Sequence, residues 1–306
     1  MRRLRTLLVA VRDLRARRNV AIERAATLAA GSGARLELFH DLATPVYVDT
    51  VVGTGKSLQT ITKDARAQSL RQLERLAEPL RARGLKVGTA AVWDYPPYEA
   101  VIRRAMAIGA DLIVAHKHGH HRMPALLGHT DWALLRASPI PVLLIKSARA
   151  RPRAAVIAAI DPSHTDAKPA NLDRHILETA AAVSAALRAP LHAVHVTAPW
   201  ARTPAHRRAL QSEVARTADI KPARTHLLEG IPDVLLPITA RRLRAGVVVM
   251  GDMSRRGLKR WFVGNTAERL IDDLACDLLI VKPAQFKTRL PRARRGVYYL
   301  TTLPMA

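Results

Sequence analysis

Near the C-terminal end of the chain, a buried apolar run is followed by small residues at a spacing that suits anion binding. The run covers residues 246–250 and is rich in valine, which predicts a buried parallel strand. The residues after it that could contact a ligand are Gly251, Ser254, Arg255, Gly264, Asn265 and Thr266. Asn265 or Thr266 would cap the helix that the apolar spacing of residues 267–274 predicts. Unpaired backbone N–H groups at such a helix start favour phosphate or another anion, and Arg255 adds positive charge.

An aspartate follows the first predicted strand in each half of the chain. Asp161 comes after the apolar run 154–160, and Asp13 comes after the run 4–11 with Arg12 between them. Ligands of open parallel sheets bind beyond the carboxyl ends of the strands, where the strand order reverses. Both aspartates are therefore placed to contact a ligand. Each could instead cap the turn that follows its strand.

The spacing from Gly251, which is Gly-x2-small-x9-Gly-Asn-Thr, resembles the phosphate loop of the universal stress protein family, Gly-x2-Gly-x9-Gly-Ser/Thr. The resemblance continues to residues 281–283, and this chain departs from the pattern at Ser254 and Asn265. It implies that Asp161 contacts the base or ribose of a nucleotide and that the loop backbone holds the phosphates. The implied ligand is ATP, another adenine nucleotide or a related small anion.

The corresponding loop of the first half runs from His116 to Asp131, is one residue shorter, and has His116 in place of the first glycine. Residues 130–142 resemble the first half of tandem universal stress proteins. Without that glycine the first half is the weaker phosphate site, so the second half is favoured as the ligand-binding half. Five histidines between positions 116 and 129 invite a metal interpretation. No metal is predicted, because no cysteine or carboxylate other than Asp131 accompanies them.

No set of residues points to catalysis. The segment 53–57, Gly-Thr-Gly-Lys-Ser, mimics the end of a Walker A motif, but Thr50 stands where that motif needs its first glycine. Ser163 and His164 are adjacent, which does not give the geometry of a nucleophile and its base. A slow ATPase would need a general base and metal-binding carboxylates near the loop, and neither is evident. A non-enzymatic protein is predicted.

The chain is an internal repeat, with 306 residues that suit two domains of roughly 150 residues each. Apolar strands recur in the same order in both halves, at 4–13 and 153–161 first and at 141–146 and 277–282 last. Domain 1 is predicted over residues 1–147, with a degenerate loop, and domain 2 over 154–286. A linker at 148–153 and a basic, mobile tail at 287–306 complete the chain.

Strands that alternate with helical patterns predict an α/β fold of two tandem, doubly wound, five-stranded, mainly parallel sheets. Helices are predicted from Val20 to a stop at Gly31, from Asp64 to a stop at Gly84, and over residues 171–187. A kink is expected at Pro79 in the second of them. In the family that the chain resembles, single domains pair as homodimers. The two halves are therefore expected to form an intramolecular pseudo-dimer.

The formal charge of +24 comes mostly from arginine. It supports an alternative function, a scaffold that binds nucleic acid or another polyanion nonspecifically through its basic surface. Arginines that merely solvate helix faces would explain the same charge. The single cysteine, Cys276, is expected to be a buried structural thiol, and it favours a reducing compartment. No membrane span is evident, and a cytoplasmic location is predicted.

Overall fold

The computed structural model of the chain describes residues 3–16, 18–42, 46–47, 58–117, 130–146, 153–161, 171–197, 208–209, 211–212, 214–216, 219–251, 273–288, 290 and 300–301. The strands are β1 (Thr6–Ala10), β2 (Arg35–Asp41), β3 (Val46–Tyr47), β4 (Val87–Val92), β5 (Leu112–His116), β6 (Val142–Ile145), β7 (Ala155–Ala159), β8 (Leu191–Thr197), β9 (Thr225–Glu229), β10 (Ala245–Gly251), β11 (Asp277–Val281) and β12 (Leu300–Thr301). The helices are α1 (Val20–Ser32), α2 (Leu58–Ala82), α3 (Pro97–Ala107), α4 (Thr130–Ala137), α5 (Leu172–Leu187) and α6 (Pro232–Arg242).

Ten of these strands form one sheet in the order β4-β2-β1-β5-β6-β11-β10-β7-β8-β9. All neighbours within β1–β6 and within β7–β11 are parallel, and β6 pairs with β11 antiparallel. Each half is thus a five-stranded parallel sheet with the same strand order. The predicted pair of doubly wound sheets is confirmed, and the two sheets meet edge to edge.

Two layers of side chains cover the sheet, one on each face. Helices α1 and α5 lie over one face, and α3, α4 and α6 lie over the other. The central strands β5, β6, β10 and β11 are almost entirely buried, which agrees with their continuous apolar sequences. Cys276 is buried in the second layer, as predicted.

Helix α1 does not stop at Gly31, as the sequence suggested. It continues to Ser32 and is capped by Gly33, whose φ of 73° places it in the left-handed region. Gly31 has a different role, because a Cβ atom at this position would lie 1.8 Å from the carbonyl oxygen of Ala186 in α5. The glycine lets the long helices of the two halves cross with their backbones in contact.

A buried carboxylate also joins the halves. Asp277, at the start of β11, has a side chain that is 1% exposed and lies 2.8 Å from Nε of Arg24 in α1. The backbone N–H of Lys146, at the end of β6, donates to the other carboxylate oxygen at 3.0 Å. Since both partners belong to the first half, this ionic contact fixes the second half against it.

The remaining sequence predictions have mixed outcomes. Helix α2 begins at Leu58, earlier than predicted, and runs through Pro79 to Ala82. In the segment predicted as a mobile tail, Leu290 packs on the core and β12 pairs in parallel with β3. Among the described residues, no helix is long and apolar enough to span a membrane. The predicted linker falls outside the described residues, except for Arg153.

A pair of histidines holds the outer strands of the second half together. Nδ1 of His192 in β8 lies 3.0 Å from Nε2 of His226 in β9, and the rings are stacked. Burial lowers the pKa of both imidazoles, and the positive charges of Arg224 and Arg242 lower it further. The equivalent residue of β2 in the first half is Glu37, which forms an ion pair with Arg104 of α3.

The first prediction concerns Gly31. Gly31→Ala should reduce the free energy of unfolding by about 1–3 kcal/mol, measured by chemical denaturation. The added methyl group would collide with the backbone carbonyl of Ala186, which cannot move aside as a flexible side chain could. Helix propensity alone would favour alanine by up to about 1 kcal/mol, so the two causes predict opposite signs. Gly88→Ala is the control, since its Cβ would meet only an ordinary contact at 3.9 Å. A Gly31→Ala protein more stable than the parent would contradict the proposed helix crossing.

The second prediction concerns pH. Since both imidazoles have a folded-state pKa below the unfolded value of 6.5, the unfolded chain binds more protons as acid is added. The contribution of the pair is therefore complete above about pH 6.5 and is lost as the pH falls below it. Urea titrations of the parent and of a His192→Gln, His226→Leu variant from neutral to acid pH should show the difference in stability change over that range. A constant difference would refute the role of this pair.

Candidate ligand-binding site

A crevice opens in each half at the carboxyl ends of its first and fourth strands, where the strand order reverses. In the second half these strands are β7 and β10, and in the first half they are β1 and β5. This is the position that the sequence predicts. The second crevice is lined by Ala159, Ile160, Asp161, Leu172, Ile176, Val194, Val196, Pro232, Leu236, Met250 and Gly251.

The second crevice is a slot whose described lining is apolar, with Asp161 at its rim. Its volume is about 220 Å³, and aliphatic side chains from β8, α5 and α6 form its walls. Asp161 is the only ionisable residue among the described residues that line it, and its side chain is 55% exposed. The slot therefore suits a flat apolar group inside, with a hydroxyl or another donor placed at the carboxylate.

The loop that carries Asp161 is fixed by a buried histidine. Nδ1 of His195 in β8 lies 3.1 Å from the carbonyl oxygen of Ile160, and because a carbonyl only accepts, this nitrogen is the donor. The same nitrogen is 3.7 Å from Oδ1 of Asp161, whose backbone N–H donates to Asp173 at 3.2 Å. Asp161 is thus held on its backbone while its carboxylate faces solvent.

Gly251 has a packing role that the sequence did not show. A Cβ atom here would come within 2.7 Å of Cδ2 of Leu172 and 3.0 Å of Cδ1 of Ile176. The absence of a side chain lets α5 approach the end of β10. Gly251 therefore shapes the apolar wall of the crevice, besides starting the loop that was predicted to bind phosphate.

The first crevice is almost closed. Ala10 and Ala159 hold equivalent positions, since they pair with Ala115 and Met250 at the ends of the fourth strands. Arg12 therefore stands where the second half has Asp161. Its guanidinium lies 3.4 Å from Asp131 of α4, and the space that remains is about 20 Å³, close to the volume that one water needs.

Asp13, the predicted counterpart of Asp161, lies one residue beyond the crevice. Its Oδ1 accepts the backbone N–H groups of Arg15 and Ala16, so it caps the following turn. A different carboxylate, Asp41 at the end of β2, lines the first crevice. Burial raises the pKa of Asp41, and the charges of His40 and Arg12 oppose that rise.

The structure places two of the predicted ligand residues, Asp161 and Gly251, at the same crevice. The others, Ser254, Arg255, Gly264, Asn265 and Thr266, lie outside the described residues, as do residues 118–129, 53–57 and 163–164. Within the described ranges no group of three or more His, Cys, Asp or Glu side chains could hold a metal ion.

Sequence reasoning missed Arg12, Asp131 and His195. A signal for the histidine was present, because β2 and β8 both carry one at the same position. Nδ1 of His40 in β2 lies 2.7 Å from the carbonyl oxygen of Val11, which repeats the contact of His195 with Ile160. The ion pair of Arg12 had no such signal, since its partner lies far away in the sequence.

Comparison with known proteins gives matches over both halves of the chain. Residues 3–146 and 157–282 match the model of the Universal stress protein family. Universal stress protein E of Photorhabdus laumondii is 27% identical over 295 residues, which cover 90% of this chain and 94% of the relative. Universal stress protein E of Escherichia coli is 31% identical over 232 residues, which cover 67% and 71%. A crystal structure of a putative universal stress protein from Pseudomonas aeruginosa superposes with a TM-score of 0.72 at 27% identity, covering 92% of this chain and 94% of that one.

A third prediction tests the closed state of the first crevice. Arg12→Met removes a positive charge that lowers the pKa of Asp41, so this pKa, already raised by burial, should rise further. Carboxyl NMR titration would measure it. Arg15→Met is the matched control, because Arg15 is an exposed arginine of the same loop that does not line the crevice. Equal shifts in the two variants would show that Arg12 has no special contact with this site.

Proposed function

Because the chain belongs to the universal stress protein family, we propose that it is a non-enzymatic stress-response protein whose second half binds a small anionic ligand. The ligand that fits best is an adenine nucleotide such as ATP, held in the crevice between β7, β8 and β10. The single observation that carries this proposal is the contrast between two equivalent crevices. One is open, at about 220 Å³, and the other is nearly filled, at about 20 Å³.

The described walls suit the base and ribose end of such a ligand. Val194, Leu236 and Met250 offer apolar surface to a flat base. Asp161 is exposed at the rim and, as a carboxylate, accepts hydrogen bonds from ribose hydroxyls. The phosphates would then follow the chain beyond Gly251, toward the backbone of Ser254, Gly264, Asn265 and Thr266, with Arg255 adding charge.

The crevice favours binding over hydrolysis. Its described lining holds one ionisable side chain, Asp161, whereas hydrolysis of a phosphoanhydride needs a positioned water and groups that neutralise charge. The nearby imidazole of His195 donates through Nδ1 to a backbone carbonyl, which commits that nitrogen to holding the loop. A slow ATPase is the less favoured alternative.

The two halves, as domains 1 and 2, would act as an intramolecular pseudo-dimer. Support comes from the antiparallel pairing of β6 with β11 around Leu143 and Leu279, since antiparallel contact of equivalent strands is what a two-fold axis generates. The crossing of α1 and α5 at Gly31 adds a second contact between equivalent elements. The domain boundaries and the cytoplasmic location stay predictions.

The fourth prediction tests the ligand site. Asp161→Ala should weaken ATP binding by about 10- to 100-fold in equilibrium dialysis, the loss expected when a hydrogen bond to a charged group is removed. Asp13→Ala is the control, because Asp13 is the sequence counterpart that lies outside the first crevice. Val196→Trp should abolish binding by filling the slot, while leaving the Asp161 loop in place.

Two outcomes would contradict the proposal. Equal loss of binding in the Asp13 and Asp161 variants would mean that ATP binds elsewhere. Undiminished binding by the Val196→Trp protein would exclude the slot. Release of more than one phosphate per protein molecule after ATP is added would favour the ATPase alternative over a binding role.

A further inference from the structure

Exposed cations border the opposite edge of the second half, where its strands begin. This amino edge consists of the turns before β10, β7, β8 and β9, which are four adjacent strands of the sheet. Its exposed basic residues are Arg153, Arg188, Lys221, Arg224, Arg241, Arg242 and Arg244. The exposed carboxylates described in the turns of the second half at this side are Asp219 and Asp273, so the amino edge is strongly positive.

Several of these residues occupy a backbone conformation that disfavours a side chain. Arg153, Arg188 and Arg244 have φ values of 53°, 49° and 51°, in the left-handed region. In the first half the helix that corresponds to α5 ends in Gly33, and the turn that corresponds to Arg244 holds Gly109, both at positive φ. Glycine would therefore serve the turns at 188 and 244 with less strain. The backbone conformation alone gives no reason for an arginine at either turn.

The helix dipole accounts for Arg188, because α5 has no basic residue in its last turn, but it does not account for Arg244. Positive charge near a helix C-terminus is favourable, and Arg241 and Arg242 already supply it in the last turn of α6. A cation within the last turn needs no left-handed residue. Strained residues that the local structure does not require are a reason to look for a function of the side chain.

The cations of the amino edge have no ionic partner within the described part of the chain. None of the seven forms an ion pair or a side-chain hydrogen bond with another described residue. At the same edge of the first half, Glu74 binds Arg81 at 2.6 Å and Glu37 binds Arg104 at 2.6 Å. The first half also has exposed cations at this edge, Arg3, Arg5, Arg83 and Lys86, but two of its arginines there, Arg81 and Arg104, are paired with glutamates.

We infer that the amino edge of the second half is a docking surface for the phosphate backbone of duplex nucleic acid. The cations head four strands spaced about 4.8 Å apart, so they extend over about 14 Å. That length corresponds to about four phosphates along one strand of a duplex. Six of the seven residues are arginines, whose planar guanidinium groups bind phosphate in a bidentate manner.

The amino edge fits a membrane surface less well. Membrane-surface segments combine cations with apolar side chains that enter the lipid. The exposed large apolar residues near α6 are Val234 and Ile238 within the helix and Ile231 at its N-cap. Ile231 stands at the other end of this helix, about 15 Å from the edge along an 11-residue axis. A flat lipid surface on the amino edge would leave it in water.

Binding should be nonspecific and strongly dependent on salt. Fluorescence anisotropy with a short random-sequence DNA duplex should give a slope of log affinity against log salt of about −4, for about four phosphates neutralised. The double variant Arg188→Gly, Arg244→Gly should reduce that slope by about two, since each phosphate contact contributes about one. Its thermal unfolding midpoint should not fall, because glycine relieves both strained positions.

The control variant is Arg71→Gln, Arg75→Gln, which removes the same charge from exposed positions on α2. It should leave the slope unchanged. A second readout is the pair His192 and His226, whose imidazoles lie beside Arg224 and Arg242 and should take up protons more readily once phosphates neutralise those charges.

Three results would overturn the inference. Equal weakening by the α2 variant would show that total charge, and not the amino edge, attracts the duplex. Binding to vesicles of anionic phospholipid with no binding to the duplex would assign the edge to membranes. If neither the duplex nor the vesicles bind at low salt, the amino edge is not a docking surface for a polyanion. None of these outcomes bears on ATP binding at the opposite edge.

Discussion

The antiparallel pairing of β6 with β11 is the contact on which the rest of the molecule depends. These strands would be exposed hydrophobic edges in an isolated half, since every residue of both is buried. Exposed apolar edges invite aggregation, and pairing them removes that hazard while making one ten-stranded sheet. The pairing also brings α1 against α5, where Gly31 lets the backbones approach, and it places the Asp277 carboxylate beside Arg24 between the two halves. Removing one partner of such a buried pair typically costs about 3–5 kcal/mol.

Once the halves are joined, small differences between them decide what each crevice can do. The backbone at the end of the first strand is the same in both, held by a histidine that donates to a carbonyl. The residue two positions after the strand is an arginine in one half and an aspartate in the other. Arg12 is long enough to reach Asp131 and fill its own crevice, whereas Asp161 is too short to cross an apolar slot. Arg12 and Asp161 thus place side chains of different length and charge at equivalent positions of the closed and the open crevice.

The fold was predictable because its signals are local and repeated. Alternating strands and helices, repeated in the same order, specify a parallel sheet in each half, and the structure agrees. The stop of α1 was misplaced because Gly31 looks like a helix terminator, and only the crossing of α5 at Ala186 explains a glycine inside the helix. Asp13 was proposed as a site residue because it ends an apolar run. The strand ends three residues earlier, so the aspartate turns outward and caps the loop. The first error concerns a contact far along the sequence, whereas for Asp13 the local alternative, a cap on the following turn, is the one that the structure shows.

The two ends of the second half show how one parallel sheet can carry two separate binding surfaces. All strands of a parallel sheet point the same way, so the loops divide into a carboxyl set and an amino set on opposite edges. The carboxyl set holds the apolar slot with Asp161, and the amino set holds the cations from Arg153 to Arg244. The arginines with a left-handed backbone conformation lie at the amino edge, away from the slot. A ligand in the slot and a polyanion on the other edge would therefore bind without excluding each other. The strands β7 and β10 connect the two edges, and they are largely buried and border both surfaces.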